Sequence, residues 1–225
     1  MTHVVLMAGG RGTRLHGLTQ NTPKPMLRVG TKPMIQSLME QFAAQNFRDF
    51  TLCVCYMADV ITGYFEDGAK FGWRVDYVRE ADPLGTAGAL RLLNPRSDPF
   101  IVMNADVRAD IDFNDLLRFH VEQGREATVC AGLYQHQIPF GVLDIEGNLL
   151  ARSHEKPIRN YPVNAGIYVL PASACRTVPK GASDMPQLLA QYETSVYEIE
   201  GQWHDVGHFD SLAAQHINWS LKIAV

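Results

Sequence analysis

The residues best suited to chemistry open at the end of the first apolar run, in Met7-Ala8-Gly9-Gly10-Arg11-Gly12-Thr13-Arg14-Leu15. Glycines at 9, 10 and 12 let the backbone take positive φ and turn its N–H groups toward phosphate oxygens, which makes an anion-binding nest. The backbone from Leu6 and Ala8 through Gly9, Gly10, Gly12 and Thr13 is the expected contact surface. Neither common phosphate signature fits: G-x-G-x-x-G from Gly10 would need Gly at Leu15, and a Walker loop from Gly12 would need Lys at Leu18. A second centre is Asp106, just beyond the apolar run 100–104. A carboxylate at the end of a buried strand is costly unless a cation compensates it, so Asp106 reads as a metal ligand. Mg²⁺ suits such a place, because one or two carboxylates plus phosphate oxygens complete its shell.

The glycine turn and the later Thr22-Pro23-Lys24-Pro25-Met26 together resemble the sugar nucleotidyltransferase family, whose opening signature is G-G-x-G-T-R-L followed by P-K-P. The likeness extends along the chain. Asn104-Ala105-Asp106 is similar to the family's N-G-D or N-A-D metal motif, and Trp203-His204-Asp205-Val206-Gly207 to its W-x-D-I-G element. The resemblance therefore implies Asp205 as the second metal ligand beside Asp106, and Arg14, Lys24, Asp106 and Asp205 as the catalytic set. Arg14 and Lys24 are two cations that can neutralise a triphosphate and its transition state. His204 and His208, four apart, do not make a zinc site, since Gly207 interrupts any helix and no Cys pair completes a tetrahedron.

Glu80-Ala81-Asp82-Pro83-Leu84-Gly85-Thr86-Ala87-Gly88 resembles the family's nucleobase loop, P-L-G-T-A-G. Gly85 permits close backbone approach to a flat ring, and Thr86 is placed to cap the helix expected behind it. Glu80 stands where uridylyl- and thymidylyltransferase relatives carry Gln. Guanine presents two adjacent donors that one carboxylate can accept, whereas uracil offers one donor between two acceptors, so Glu80 favours GTP. Phe140-Gly141-Val142, Glu155-Lys156-Pro157 and Asn164-Ala165-Gly166-Ile167-Tyr168 resemble the family's sugar elements. They imply Gly141, Glu155, Lys156 and Asn164 at the sugar phosphate: Glu155 accepting from hydroxyls, Lys156 as a point charge, Asn164 as donor and acceptor.

What the resemblance implies is transfer of a nucleoside monophosphate from an NTP, with GTP favoured, to a sugar 1-phosphate. Mg²⁺ would be the cofactor and pyrophosphate the leaving product. The family branch nearest in character makes bacterial surface sugars, with heptose or hexosamine 1-phosphate as acceptor. The rivals are a uridylyl- or thymidylyltransferase of the same family and, in another class, a non-catalytic nucleotide-sugar-binding regulator. A nicotinamide-dependent dehydrogenase is disfavoured by the failed dinucleotide fingerprint.

These residues must be positioned by an α/β frame. Apolar runs at 4–8, 50–55, 74–78 and 100–104 alternate with helical stretches at 34–45, 58–65 and 86–93, which predicts a Rossmann-like, mostly parallel mixed sheet flanked by helices. Beyond residue 125 closely spaced strands at 127–133, 141–144 and 165–170 read as a small hairpin-rich, β-rich sugar-binding insertion on one edge of the sheet, with a turn at 146–148. Helix at 185–192, strand at 195–199 and an amphipathic closing helix at 210–223 follow. One domain over 1–225 is expected, about 1–125 for the nucleotide and about 126–225 for the sugar and closing helix.

Composition narrows the class. With 46% hydrophobic and 20% charged residues the chain is an ordinary globular one. Its net charge of −4 has no Lys/Arg block to track a phosphate backbone, so nucleic acid is not an expected partner. The first apolar run is too short for a signal h-region, and no stretch approaches a membrane helix in length. Cys53, Cys55, Cys130 and Cys175 form no C-x-x-C pair and read as free thiols in a reducing, cytoplasmic compartment. A homo-oligomer is left open.

Overall fold

A computed structural model describes residues 2–12 and 17–205. Thr13, Arg14 and the anticipated helix at 210–223 lie outside the described residues.

The chain opens with β1 (Val4–Met7), enters the glycine turn, and after a 3₁₀ turn at Lys24–Met26 makes the small hairpin β2 (Arg28–Val29) and β3 (Lys32–Pro33). Helix α1 (Met34–Ala44) follows directly, its buried face built from Met34, Ile35, Leu38, Met39 and Phe42 at helical spacing. Then come β4 (Asp49–Val54), α2 (Ala58–Phe65), β5 (Arg74–Arg79), β6 (Phe100–Asn104), the short β7 (Val107–Ala109) and α3 (Phe113–Gln123). Asp112 caps α3 by accepting from the amides of Asn114 (2.8 Å) and Asp115 (3.2 Å), the role its position suggests. Gly124 in the left-handed region ends it.

The second half contains β8 (Ala127–Gln137), β9 (Val142–Glu146), β10 (Leu149–His154), β11 (Ile158–Leu170), α4 (Ala174–Thr177), α5 (Met185–Leu189), β12 (Thr194–Glu198) and β13 (Trp203–Asp205). Seven strands form the main sheet in the order β12-β8-β11-β6-β1-β4-β5. Pairing is parallel for β1 with β4 and β6, β4 with β5, and β12 with β8, while β11 runs antiparallel to both its neighbours. The mixed, mostly parallel sheet is the one the sequence predicts.

One expectation needs correction. The strands after residue 125 do not cover an edge of the sheet: β8 and β11 are inserted within it, between β12 and β6. The reason is that β6 presents a second row of backbone donors and acceptors on the side away from β1, and β11 satisfies it. The β9–β10 hairpin alone stands apart as its own two-stranded sheet, turning at Gly147 within the expected 146–148.

Both faces of the sheet are covered, and β1 shows the alternation plainly. Val4 and Leu6 join a cluster with Ile35, Met39, Phe42, Ile61 and Phe65, while Val5 joins Leu90, Val102, Leu170 and Leu188 on the other face. Chain reversal about β1, toward β4 and β5 on one side and β6 on the other, makes a topological switch point. A ligand site is expected outside the carboxyl ends of the strands there.

Candidate active site

At that switch point the structure opens a cleft of about 260 Å³, lined among others by Ala8, Gly10, Lys24, Glu80, Thr86 and Asp106. Each wall is the continuation of a strand. Met7 to Gly10 leave β1, Glu80 follows β5, and Asn104 to Asp106 leave β6, with the Ala105 amide donating to the Met7 carbonyl at 3.1 Å to join the two exits. Pro83, Leu84, Gly85 and Thr86 form the wall after Glu80.

Lys24 reaches this floor from the 3₁₀ turn of the Pro-Lys-Pro segment, where flanking prolines fix the backbone. Its ammonium is almost fully buried and donates to Oδ2 of Asp106, whose side chain is 30% exposed. The cation thus holds the carboxylate that the sequence marks as a metal ligand, and both face the cleft. Gly12 packs against the Lys24 side chain, and Thr19 Oγ1 donates to the Gly12 carbonyl at 3.2 Å, so the far limb of the glycine turn is tied beside the lysine.

Glu80 is buried, and burial pushes its carboxyl above the ordinary range, opposed by the Leu84 amide that donates to Oε2 at 2.9 Å. Its other oxygen lies against Gly9: a Cβ there would come within 2.8 Å of Oε1. Glu80 therefore joins the glycine turn to the Pro83–Thr86 wall while still lining the cleft.

Thr86 differs from expectation. The stretch behind it is a 3₁₀ turn at Gly88–Leu92, capped by no side chain, and Thr86 Oγ1 instead accepts from the amide of Met185 (2.8 Å) at the start of α5. The loop is hydrogen-bonded to the 183–185 segment, and this contact, nearly one hundred positions away, is invisible to a local reading.

Asp205 lies on β13, which pairs antiparallel with β7 so that residue 205 stands opposite Val107, next to Asp106 in the chain. The side chain is exposed and does not line the cleft. What seats β13 is Trp203. Its indole N–H donates to the Ala165 carbonyl at 2.9 Å, and its ring lies flat against Gly132, where a Cβ would come within 2.5 Å.

The sugar-side residues are brought together less closely. Gly141 and Glu155 meet, a Cβ on Gly141 falling 3.1 Å from Glu155 Oε2, and Lys156 follows with a positive φ at the turn into β11. All three are exposed on the arm formed by the outer halves of β8 and β11 with the β9–β10 hairpin, and none lines the cleft. Asn164 stands at an irregularity in the β8–β11 ladder, its Oδ1 accepting from the Gly166 amide (2.9 Å) and the Tyr168 hydroxyl (2.9 Å). Gly166 in turn abuts the side chain of Asn104 on the cleft floor, which links Asn164 to the site through one intervening residue.

Three residues with evident roles escape the sequence reading. Asn104 lines the floor and sits inside the Asn-Ala-Asp motif, which was itself a sufficient signal. Leu84 and Asp184 act through backbone or long-range contacts that carry no local pattern.

Comparison with known proteins gives the family. The profile described as "Nucleotidyl transferase" matches residues 3–219. The chain belongs to the nucleotidyl transferase family. Among curated members it is similar to the mannose-1-phosphate guanyltransferase of Yarrowia lipolytica, 34% identical over 220 residues, covering 90% of this chain and 60% of that protein. It is also similar to the mannose-1-phosphate guanylyltransferase catalytic subunit beta of Danio rerio, 30% identical over 217 residues with the same coverage. This family member thus spans about 60% of the length of the curated relatives it matches. In fold it resembles HddC from Yersinia pseudotuberculosis, solved with GMP-PN, at a TM-score of 0.78 and 23% identity, covering 97% of this chain and all of that one. No described helix is long and apolar enough to cross a membrane.

Proposed function

We propose that this nucleotidyl transferase moves a guanylyl group from GTP to a sugar 1-phosphate and releases pyrophosphate. The observation that carries the reading is the buried Lys24 meeting Asp106 beside the glycine turn, at the switch point of the sheet. A cation and a metal-type carboxylate in one cleft, next to backbone amides, suit a polyphosphate.

The donor set fits a hard divalent ion. Asp106 supplies carboxylate oxygen at the mouth of the cleft, phosphate oxygens supply more, and β13 brings Asp205 to the neighbouring ladder position. Mg²⁺ bound there would add positive charge at the phosphoryl oxygens. The protein's own part is positioning and screening: the glycine turn cradles phosphates, Lys24 and Arg14 neutralise them, and the acceptor phosphate attacks in line on the α-phosphorus. No general base is required, since a phosphate monoester with a second pKa of about 6 is already largely dianionic near neutrality.

Guanine is favoured by the carboxylate of Glu80 in the cleft and by the guanyltransferase names of the relatives. Those relatives put mannose 1-phosphate at the head of the acceptor panel, beside heptose and hexosamine 1-phosphates, with Gly141, Glu155, Lys156 and Asn164 as the acceptor contacts. A cytoplasmic role in making nucleotide sugars for cell-surface polysaccharide follows from this reading and from four free thiols. The test is a matrix of four NTPs against these sugar phosphates with pyrophosphate release as readout. GTP is expected to outpace UTP and dTTP, and Asp106→Asn to abolish release while circular dichroism stays unchanged. Turnover of UTP well above GTP would refute the base assignment, and an active Asp106→Asn the metal assignment.

A further inference from the structure

The Pro83–Thr86 wall of the cleft is sewn to a segment far downstream. Ser183 donates its amide to the Leu84 carbonyl at 2.8 Å, and Ala87 donates its own to the Ser183 carbonyl at 2.9 Å. Asp184 Oδ1 accepts from both the amide (3.1 Å) and the hydroxyl (3.2 Å) of Thr86. The Met185 amide completes the exchange by donating to Thr86 Oγ1 at 2.8 Å. So close an approach is possible because residue 85 is glycine: at φ +80° its missing Cβ leaves room for the Ser183 carbonyl, which would otherwise lie 2.6 Å away. From the opposite side the Glu80 carboxylate holds the Leu84 amide.

The single hydroxyl proton of Thr86 is committed to Asp184, and the hydroxyl oxygen already accepts from Met185. With the Leu84 and Thr86 amides also taken, a ligand in the cleft meets the wall through the Gly85 backbone and the remaining acceptor oxygens, whose placement depends on what grips Thr86 from behind. Asp184 is not itself among the residues lining the cleft.

We propose that Asp184 is a positioning residue for nucleobase recognition, acting through Thr86 to set the wall against which the base lies. The proposal rests on reading the cleft as a nucleoside triphosphate site. It separates two ends of the ligand: the Asp184 clasp serves the base end, and the glycine turn with Lys24 serves the phosphates, which Asp184 does not touch.

The experiment is calorimetric titration of the full chain with GTP and with inorganic tripolyphosphate, both with Mg²⁺. Removing a hydrogen-bonding carboxylate from behind the wall costs about a tenfold loss in affinity. Asp184→Ala is thus expected to weaken GTP by about tenfold and leave tripolyphosphate within about twofold. Asp184→Asn, which keeps an accepting oxygen, should hold GTP within about threefold of wild type. Because both act on one wall, Asp184→Ala combined with Thr86→Val should bind GTP no more weakly than the worse single variant. Unchanged GTP affinity in Asp184→Ala, equal losses for GTP and tripolyphosphate, or additive losses in the double variant would each overturn the proposal. A wild-type chain that binds none of the four NTPs would instead remove the nucleotide-site reading beneath it.

Discussion

Lys24 and Asp106 come from positions 82 apart in the chain, and their contact sets opposite charges side by side in the cleft. A nearly buried ammonium costs a great deal to desolvate, so its retention at 7% exposure argues for a task beyond stability. Lys24→Met should lower the rate of pyrophosphate release by about 10²-fold or more, the scale seen when one preorganised donor to a developing charge is removed. GTP binding measured by calorimetry should weaken as well, since on the proposed reading the same cation would face the triphosphate. The Asp106 left behind, its side chain 30% exposed, is still reached by water, so the melting temperature should move little. Of the residues the motifs single out, Lys24, Glu80, Gly85 and Asp106 line the cleft, whereas Asp205, Gly141, Glu155 and Lys156 do not. The sequence was silent where a residue works through a distant backbone, as Asp184 does.

Among elements, β13 is the one most dependent on a single fit. A three-residue strand contributes few backbone bonds, and beside the Asp110 amide donating to the Gln202 carbonyl at 2.8 Å it is held by the indole of Trp203 lying on Gly132. Gly132→Ala should therefore displace the ring, red-shift the tryptophan emission and reduce turnover through loss of register at Asp205. In a Trp203→Ala background the same change should add nothing further, because no ring remains to clash. Helix α3 offers a simpler measurement: Asp112→Ala removes an N-cap that accepts two amides and should cost about 1 kcal/mol in denaturant unfolding. Elements with a clear pattern of buried positions were legible from sequence, as the matching limits of α2 and β6 show. The arm was not. β10 is exposed along its whole length, so no face is set apart by burial, and β11 begins at Ile158, earlier than its apolar half suggests, because Pro162 interrupts the pattern. The expected helix at 86–93 gave way to a 3₁₀ turn because the loop before it is held by Ser183 and Asp184.

For the molecule as a whole, acid sensitivity is written at the end of the sheet away from the cleft. His3 is completely buried, its Nε2–H donating to Thr51 Oγ1 at 2.8 Å and its Nδ1 accepting from the Arg96 amide at 3.2 Å. Burial, with the Arg96 charge beside it and Asp49 and Asp76 opposing, lowers its pKa from 6.5 to about 4. The folded state thus favours the neutral ring, and the unfolded chain binds the proton more readily. The resulting stability is complete above about pH 6.5 and is lost as the pH falls toward 4, by up to about 3 kcal/mol. Denaturant unfolding across that window should show the slope, and His3→Gln, whose amide can both donate and accept, should flatten it.

The interleaved strand order bears on how the chain could be divided. β6 belongs to the amino-terminal half, yet one of its two edges is completed by β11 from the carboxyl-terminal half. A fragment ending near residue 125 would carry that edge naked into solvent, an open template for self-association. Truncation should accordingly yield aggregates in place of a small nucleotide-binding module, and co-expression of the two pieces should restore solubility only if they reassemble along the β6–β11 seam.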